Sequence, residues 1–308
     1  MELRHLRYFV AVAEERSFTR ASQRLHIAQP PLSRQIQQLE EMLGVRLFER
    51  NSRPLRLTET GKFFYSHASR LLSQTAELES MTRRVGNIER SLSVGFVGST
   101  LYGLLPRIIR RFRDENPTVE LSLHEMSTVD QLRALKDGHI DVGFGRIRHE
   151  DPNVRRVILR EEKLIVAFPV GHPLSLGKSV IALRELVNET LIIFPQAPRP
   201  SFADQVLSAF VDRALEPRKV YDVRELQIAL GLVAAGEGIS VVPSSVHGLK
   251  RDDVSYRELD DPTLTSPIIM STRALDKSQD VKEMLELIYR LYEEQNIPYR
   301  PRTQRGRL

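Results

Sequence analysis

The apolar residues at the start of the chain repeat with the spacing of an α-helix. A first helix over residues 2–15 has five such positions on one side, namely Leu3, Leu6, Phe9, Val10 and Ala13. Ser17 is a suitable N-cap for a short second helix with Phe18, Ala21 and Leu25 inward. A third helix begins near Pro30 and Pro31 and ends before Gly44, with Leu32, Ile36, Leu39 and Leu43 inward. Three helices in this short span predict a helix-turn-helix domain.

Two short strand candidates, Leu47-Phe48 and Leu55-Arg56-Leu57, follow the third helix and are separated by a polar turn. They predict a wing. A long helical pattern then runs from Thr58 to about Ile88, with a seven-residue repeat at Phe64, Leu71, Leu78 and Val85 and a weaker one at Ala68, Thr75 and Thr82. This seam predicts a dimerising helix. The alternative is a long amphipathic helix that packs only on its own domain.

Beyond Arg90 the pattern changes to alternating strands and helices. Strands are predicted at 92–97, 119–124, 142–145, 163–168, 191–194, 238–242 and 268–272. Helices are predicted at 101–112, 129–136, 202–215, 226–235 and 281–295. About 200 residues of this alternation suit two α/β lobes with a ligand cleft between them. Residues 299–308 contain four Arg and no acid, which predicts a disordered basic tail.

Composition narrows the possible classes of protein. With 308 residues and 41% hydrophobic content, the chain has enough apolar material for substantial cores, which excludes a disordered or collagen-like protein. It has no Cys, so disulfides and thiolate chemistry are excluded. Neither a signal peptide nor a membrane span is recognisable, and we expect a cytoplasmic protein.

The net charge of +5 is concentrated at one end of the chain. Residues 1–90 hold 15 of the 45 basic and 10 of the 40 acidic side chains, which leaves 30 of each for the remainder. Of those 15 basic residues, 14 are Arg, whose guanidinium groups bind phosphates and base edges bidentately. A solvated charged face would explain the charge alone equally well.

The outward face of the third helix carries side chains that can read DNA. They are Gln29, Pro30, Pro31, Ser33, Arg34 and Gln37. Arg can pair with guanine, Gln with adenine, and a Pro ring can touch a thymine methyl group. Arg50 and Arg53, in the predicted wing, could enter the minor groove or contact phosphates. The alternative for this face is an ordinary solvated helix.

Two strand-to-helix junctions in the second part favour anion binding. Gly98-Ser99-Thr100 and Ser127-Thr128 both precede predicted helices, whose first N–H groups attract a carboxylate. Ordinary N-capping is the competing interpretation. Arg146 could pair with a ligand carboxylate or bridge the lobes, and Phe144 and Phe202 offer apolar walls.

The N-terminal sequence resembles LysR-type transcriptional regulators. The resemblance is carried by Phe9–Glu14, Ser17–Ser22, Leu25–Ile36, Leu39-Glu40, Leu43-Gly44, Leu47–Arg50, Leu57-Thr58 and Gly61. It implies an α+β winged helix-turn-helix, a linker helix, and a two-lobed α/β effector domain like that of periplasmic binding proteins. The implied ranges are 1–58, 59–89, 90–161 with 268–298, and 162–267, with the tail at 299–308.

Within that family the chain is most similar to regulators of benzoate and catechol degradation. The similarity rests on Ser99–Pro106, Phe144-Gly145-Arg146, Arg199–Asp204 and Leu230–Gly238. It implies a homodimer or homotetramer that binds promoter DNA, works with RNA polymerase as an activator, needs no cofactor or metal, and responds to cis,cis-muconate, benzoate or a chlorinated muconate.

The same resemblance assigns two ligand sites. A dicarboxylate would lie between the lobes, touched by Ser99, Thr128 and the Phe202 segment, with Arg146 supporting the site. A second aromatic-acid site would use Arg160 and a Tyr of the last helix, either Tyr289 or Tyr292, of which we favour Tyr292. Glu225 could pair with Arg146 or Arg160, or be solvated.

Three other classes of protein compete with a DNA-binding regulator. An enzyme is disfavoured because the eight His are scattered and no H-E-x-x-H, phosphate-loop or G-x-S-x-G motif is present, and we expect no catalytic residue. A periplasmic solute-binding protein would not need the Arg-rich helix-turn-helix. A purely architectural DNA-binding protein would have no use for an anion-binding, two-lobed domain.

Overall fold

The computed structural model describes residues 1–49, 52, 54–85, 90–177 and 179–299. This part of the chain divides into two compact units, one from Met1–Ile88 with Lys136–Gly138 and the other from the remainder. Arg50, Arg53 and residues 300–308 of the predicted tail lie outside the described residues. None of the helices in the described ranges combines the length and the apolar character that a membrane crossing requires.

The first unit begins with three helices around one apolar core. They are α1 (Leu3–Glu15), α2 (Phe18–Arg24) and α3 (Gln29–Leu43). The hydroxyl of Ser17 accepts a hydrogen bond from the N–H of Arg20, as an N-cap does, and α3 ends at Gly44, which has a left-handed φ of 67°. Phe48 and Leu57 form an antiparallel bridge at the base of the predicted wing. The predicted helix-turn-helix is confirmed.

The long helix α4 (Glu59–Val85) begins inside this core. Phe64 packs edge-on against Phe9, with 5.0 Å between ring centroids, and Ala68 is 1% exposed in the same cluster. Leu71 and Leu78 are 47% and 64% exposed. The start of the helix therefore stabilises its own domain, since Phe64 is half-buried there, whereas Leu71 and Leu78 remain exposed; the dimer seam stays a prediction. The side chain of Val85 lies outside the described residues.

The second unit contains two lobes that share their long strands. In lobe I the strand order is β2 (Val119–Glu125), β1 (Arg90–Phe96), β3 (Val142–Gly145), β10 (Thr265–Arg273) and β4 (Val154–Pro169). The pairs of β1 with β2 and β3 are parallel, and those of β10 with β3 and β4 are antiparallel. Three helices belong to this lobe, α5 (Leu105–Glu115), α6 (Thr128–Lys136) and α9 (Gln279–Glu294).

The second half of β4 continues into lobe II. It pairs with β8 (Ser240–Pro243) and β9 (Val254–Leu259), and β9 pairs with β5 (Val180–Ile181). A parallel pair, β6 (Thr190–Ile193) and β7 (Lys219–Asp222), lies beside α7 (Phe202–Val211) and α8 (Leu226–Ala234). Each lobe has its own buried apolar cluster. The prediction of two α/β lobes is confirmed.

Several predicted element boundaries are corrected. The helix predicted over 101–112 is a 3-10 turn at Gly98–Tyr102 followed by α5, because Gly103 and Pro106 interrupt it. The strand predicted over 163–168 extends back to Val154, where charged residues obscure the apolar alternation. The strands β5, β7 and β9 were not predicted, and β7 is exposed along its whole length. Helix α7 ends at Val211 instead of Leu215.

Candidate functional site

The N-terminal turns of α3 expose most of the predicted DNA-reading side chains. Gln29, Pro30, Pro31, Arg34 and Gln37 are exposed, while Leu32, Ile36 and Leu39 are buried on the opposite face. Ser33 is half-buried. The two prolines occupy the first turn, where their missing N–H groups cost no helical hydrogen bond. This geometry presents an exposed helix N-terminus of mixed polar and apolar chemistry, as a major-groove helix requires.

In the second unit Arg146 joins the residues predicted to bind an effector. Its side chain is 3% exposed. Its Nε donates to the Ser99 hydroxyl over 2.9 Å, and its backbone N–H donates to the Thr128 hydroxyl over 3.4 Å. Because both oxygens accept from Arg146, their own protons can donate to a carboxylate. The structure thus brings Ser99, Thr128 and Arg146 together.

Glu162, which no sequence motif singles out, pairs with Arg146 in this cluster. Its carboxylate is 2.7 Å from Nη2 of Arg146 and 3.7 Å from Nη2 of Arg160, and it accepts the N–H of Ser245 over 2.8 Å. Burial acts to raise the pKa of Glu162, but the two guanidinium groups and the hydrogen bonds outweigh it, so the pKa is lowered. One buried carboxylate is therefore shared by the buried Arg146 and the partly exposed Arg160.

This arrangement decides between the two alternatives for Glu225. Glu162 on β4 pairs with the arginines, and Glu225 is the exposed residue that precedes α8, as the solvated alternative predicts. A weak signal for Glu162 existed in the sequence: it is an acid on a strand two residues from Arg160, and alternate residues of a strand point to the same face.

The second predicted site is a narrow cavity inside lobe I. Arg160, Tyr292, Thr100 and Phe144 line it, with apolar residues completing the wall. Burial raises the pKa of the Tyr292 phenol to about 12, although Arg160 acts to lower it. The cavity volume is about 20 Å³, room for roughly one water molecule. Tyr292, the favoured candidate, is therefore the tyrosine that lines the cavity beside Arg160, but a benzene ring does not fit without movement of the walls.

The two predicted aromatic walls of the interlobe site have other positions. Phe144 is 1% exposed in the lobe I core, and Phe202 is 6% exposed in the lobe II core, where it packs against Phe194. Phe144 lies in β3, whose residues are all buried, and also lines the narrow cavity beside Arg160, while Phe202 begins α7. Neither lines the larger cavity between the lobes, and their role as apolar walls of the effector site stays a prediction.

A larger cavity of about 460 Å³ lies between the lobes. Arg146 and Arg148 line it from lobe I, and polar residues of α7 and of the residues that flank it, from Ser201 to Arg213, line it from lobe II. Gln205 on that face donates to the carbonyl of Thr265 over 2.6 Å. Across the described ranges no three or more His, Asp or Glu side chains are grouped to hold a metal ion.

Comparison with protein families agrees with this architecture. Residues 3–62 match the profile of the bacterial regulatory helix-turn-helix proteins of the lysR family. Residues 86–291 match the profile of the LysR substrate binding domain. Residues 63–85 and 292–308 lie outside the two profiles.

Curated relatives and solved structures show the same similarity over nearly the whole chain. The chain is 49% identical to the HTH-type transcriptional regulator BenM of Acinetobacter baylyi, covering 95% of this chain and 96% of that protein. It is 47% identical to the regulator CatR of Pseudomonas putida, covering 94% and 98%.

Among solved structures, full-length BenM has a TM-score of 0.67 and 48% identity, covering 98% of this chain and all of that one. The BenM effector binding domain with its effector benzoate has a TM-score of 0.66 and 41% identity, covering 70% and 98%. These relatives are named regulators, so the interpretation as a regulator rather than an enzyme is confirmed. The chain belongs to the LysR family of DNA-binding transcriptional regulators.

Proposed function

We propose that this regulator activates genes for the degradation of aromatic compounds and that cis,cis-muconate is its effector. The observation that carries the proposal is the cluster of Ser99, Thr128 and Arg146, which presents two hydroxyl donors and a guanidinium group at the ends of three strands. A dicarboxylate suits this cluster because its oxygens accept hydrogen bonds from all three groups.

The similarity to BenM and CatR supports an aromatic-acid pathway, and the benzoate complex of BenM supports a carboxylate effector. The narrow cavity beside Arg160 and Tyr292 favours the interlobe site as the first place for the ligand. The alternative is a regulator of another pathway with a different small anionic effector.

The DNA-binding part of the proposal follows from α3. A dimer joined along Leu71 and Leu78 presents two copies of α3 to successive major grooves of an imperfect palindrome, with Arg50 and Arg53 contacting the minor groove or phosphates. Pairs of dimers form a tetramer that engages RNA polymerase in the cytoplasm. The effector acts by binding one arrangement of the dimers more tightly than another.

Calorimetric titration of the full chain with cis,cis-muconate tests the effector. Benzoate and adipate, a saturated dicarboxylate of equal length, serve as competitors. We expect saturable muconate binding that Ser99→Ala and Thr128→Ala each weaken about tenfold or more, since each removes a hydrogen bond to a charged group. If the thermal unfolding midpoint of each variant equals that of the parent protein, the side chain acts in effector binding; a lowered midpoint would indicate that it acts as an N-cap. Absence of heat and of thermal shift would refute muconate as the effector and leave the family assignment intact.

A further inference from the structure

Tyr102 belongs to lobe I by sequence but contacts lobe II. It ends the 3-10 turn Gly98–Tyr102, and its ring packs against the apolar cluster of lobe II. Its hydroxyl accepts a hydrogen bond from Nε2 of Gln227, in the first turn of α8. The side chain therefore spans the boundary between the two lobes.

The backbone around Gly103 also lies against lobe II. A Cβ atom at Gly103 would lie 3.8 Å from Cβ of Ser245, and one at Gly248 would lie 3.9 Å from the carbonyl oxygen of Tyr102. The 3-10 segment Ser244–Leu249 thus lies directly beside the end of the turn. Burial and the carboxylates of Glu125 and Glu225 raise the pKa of Tyr102, so its phenol stays protonated at neutral pH.

The same turn carries the proposed effector contact at its other end. Ser99 is the second residue of the turn, and its hydroxyl accepts from Arg146. Between Ser99 and Tyr102, the Thr100 hydroxyl donates to the carbonyl of Val97 over 2.7 Å, and the N–H of Gly103 donates to the Thr100 carbonyl over 3.1 Å. These bonds close the turn locally, so Ser99 and Tyr102 belong to one hydrogen-bonded segment.

We propose that Tyr102 is a positioning residue that couples occupancy of the effector site at Ser99 to closure of the two lobes, through its hydrogen bond with Gln227. The proposal rests on the effector site proposed above. An effector between the lobes and the Tyr102–Gln227 bond both stabilise the closed arrangement. Loss of the bond lowers the closed population and therefore the apparent affinity for the effector.

Tyr102→Phe removes the hydroxyl and keeps the ring on the lobe II cluster, and Gln227→Leu removes the donor. We expect each variant to weaken muconate binding two- to tenfold, the change in population that one neutral hydrogen bond supports. The double variant should be no weaker than either single one, because both remove the same bond. Tyr221→Phe, which removes the hydroxyl of an exposed lobe II tyrosine, is the matched control and should bind as the parent protein does.

Lobe closure can be measured without any ligand. The chain has no Cys, so Glu120→Cys in lobe I and Asp252→Cys in lobe II, both exposed, allow spin labels at two defined points. Labelled chains are diluted with unlabelled ones so that distances within one chain dominate. We expect Tyr102→Phe to increase the population of chains with a long distance between the two labels. Muconate should restore the short distance in this variant, but at a higher concentration than the parent protein needs.

The two proposals fail in different ways. If the parent protein does not bind muconate, the effector assignment is wrong, while the label distances without ligand still test the role of Tyr102. If Tyr102→Phe leaves both the distances and the muconate affinity as in the parent protein, the coupling role is refuted. Additive losses in the double variant would also refute it, because the two side chains would then act separately.

Discussion

Replacement of Glu162 by Gln tests the central charge cluster. The substitution keeps the shape of the side chain but leaves the buried Arg146 and the partly exposed Arg160 without their shared anion. At 2.7 Å from Arg146, the Coulomb attraction is about 6 kcal/mol at an effective dielectric constant of 20, and the desolvation of both ions offsets part of it. Because Glu162 is 2% exposed, solvent screens the pair little. We expect the free energy of unfolding to fall by about 3–5 kcal/mol, the usual cost of removing one partner of a buried ion pair.

Urea denaturation of the full chain, followed by circular dichroism, measures this loss. With a slope of about 3 kcal/mol per molar urea, the midpoint of the effector-domain transition should fall by about 1–1.7 M. Glu258→Gln is the matched control, since Glu258 pairs with Lys163 over 3.1 Å but both side chains are more than half exposed. That control should change stability by less than about 1 kcal/mol. Equal midpoints for the Glu162 variant and the parent protein would show that the cluster contributes no net stability.

The pH dependence gives an independent check. The folded pKa of Glu162 lies below its ordinary value of 4.5. The stabilisation from its charge is therefore fully present above about pH 4.5 and is lost as the pH falls through the folded pKa. The difference in stability between the parent protein and Glu162→Gln should narrow below pH 4.5. A constant difference down to pH 3 would contradict the charge argument.

Three further predictions concern the first unit and need separate assays. Arg34→Ala should weaken the free energy of binding to operator DNA by about 1–3 kcal/mol and relax the base preference at one position, as a filter-binding or mobility-shift assay can measure. An equal loss of affinity for scrambled DNA would exclude base reading by Arg34. Leu71→Asp with Leu78→Asp should yield monomers in sedimentation experiments, because both side chains are exposed apolar positions on α4; persistence of dimers would place the interface elsewhere. Gly61→Ala should unfold the helix-turn-helix, since a Cβ there would lie 2.0 Å from a backbone oxygen; a thermal midpoint like that of the parent would refute this packing.

The helix-turn-helix was predictable because its signals are local. The apolar spacing of α1 and α3, the N-cap Ser17 and the terminal Gly44 each act within a few residues, and the structure keeps all of them. The extent of the long helix α4 was also predictable, but which of its residues pack on their own domain was not. Whether Phe64 faces a partner or Phe9 depends on how the helix crosses the core, and sequence spacing does not contain that information.

In the effector domain, the sequence determined the alternation of strands and helices and the chemical types that can bind an anion. Only the tertiary structure decided that Glu162 pairs with Arg146, that Phe144 and Phe202 belong to cores, and that Tyr102 reaches Gln227, 125 positions away. The physical reason is that these contacts join segments that are far apart in the sequence. The periodicity of the sequence indicates on which face of a helix or strand a side chain lies. The packing of distant segments decides which other side chains it contacts.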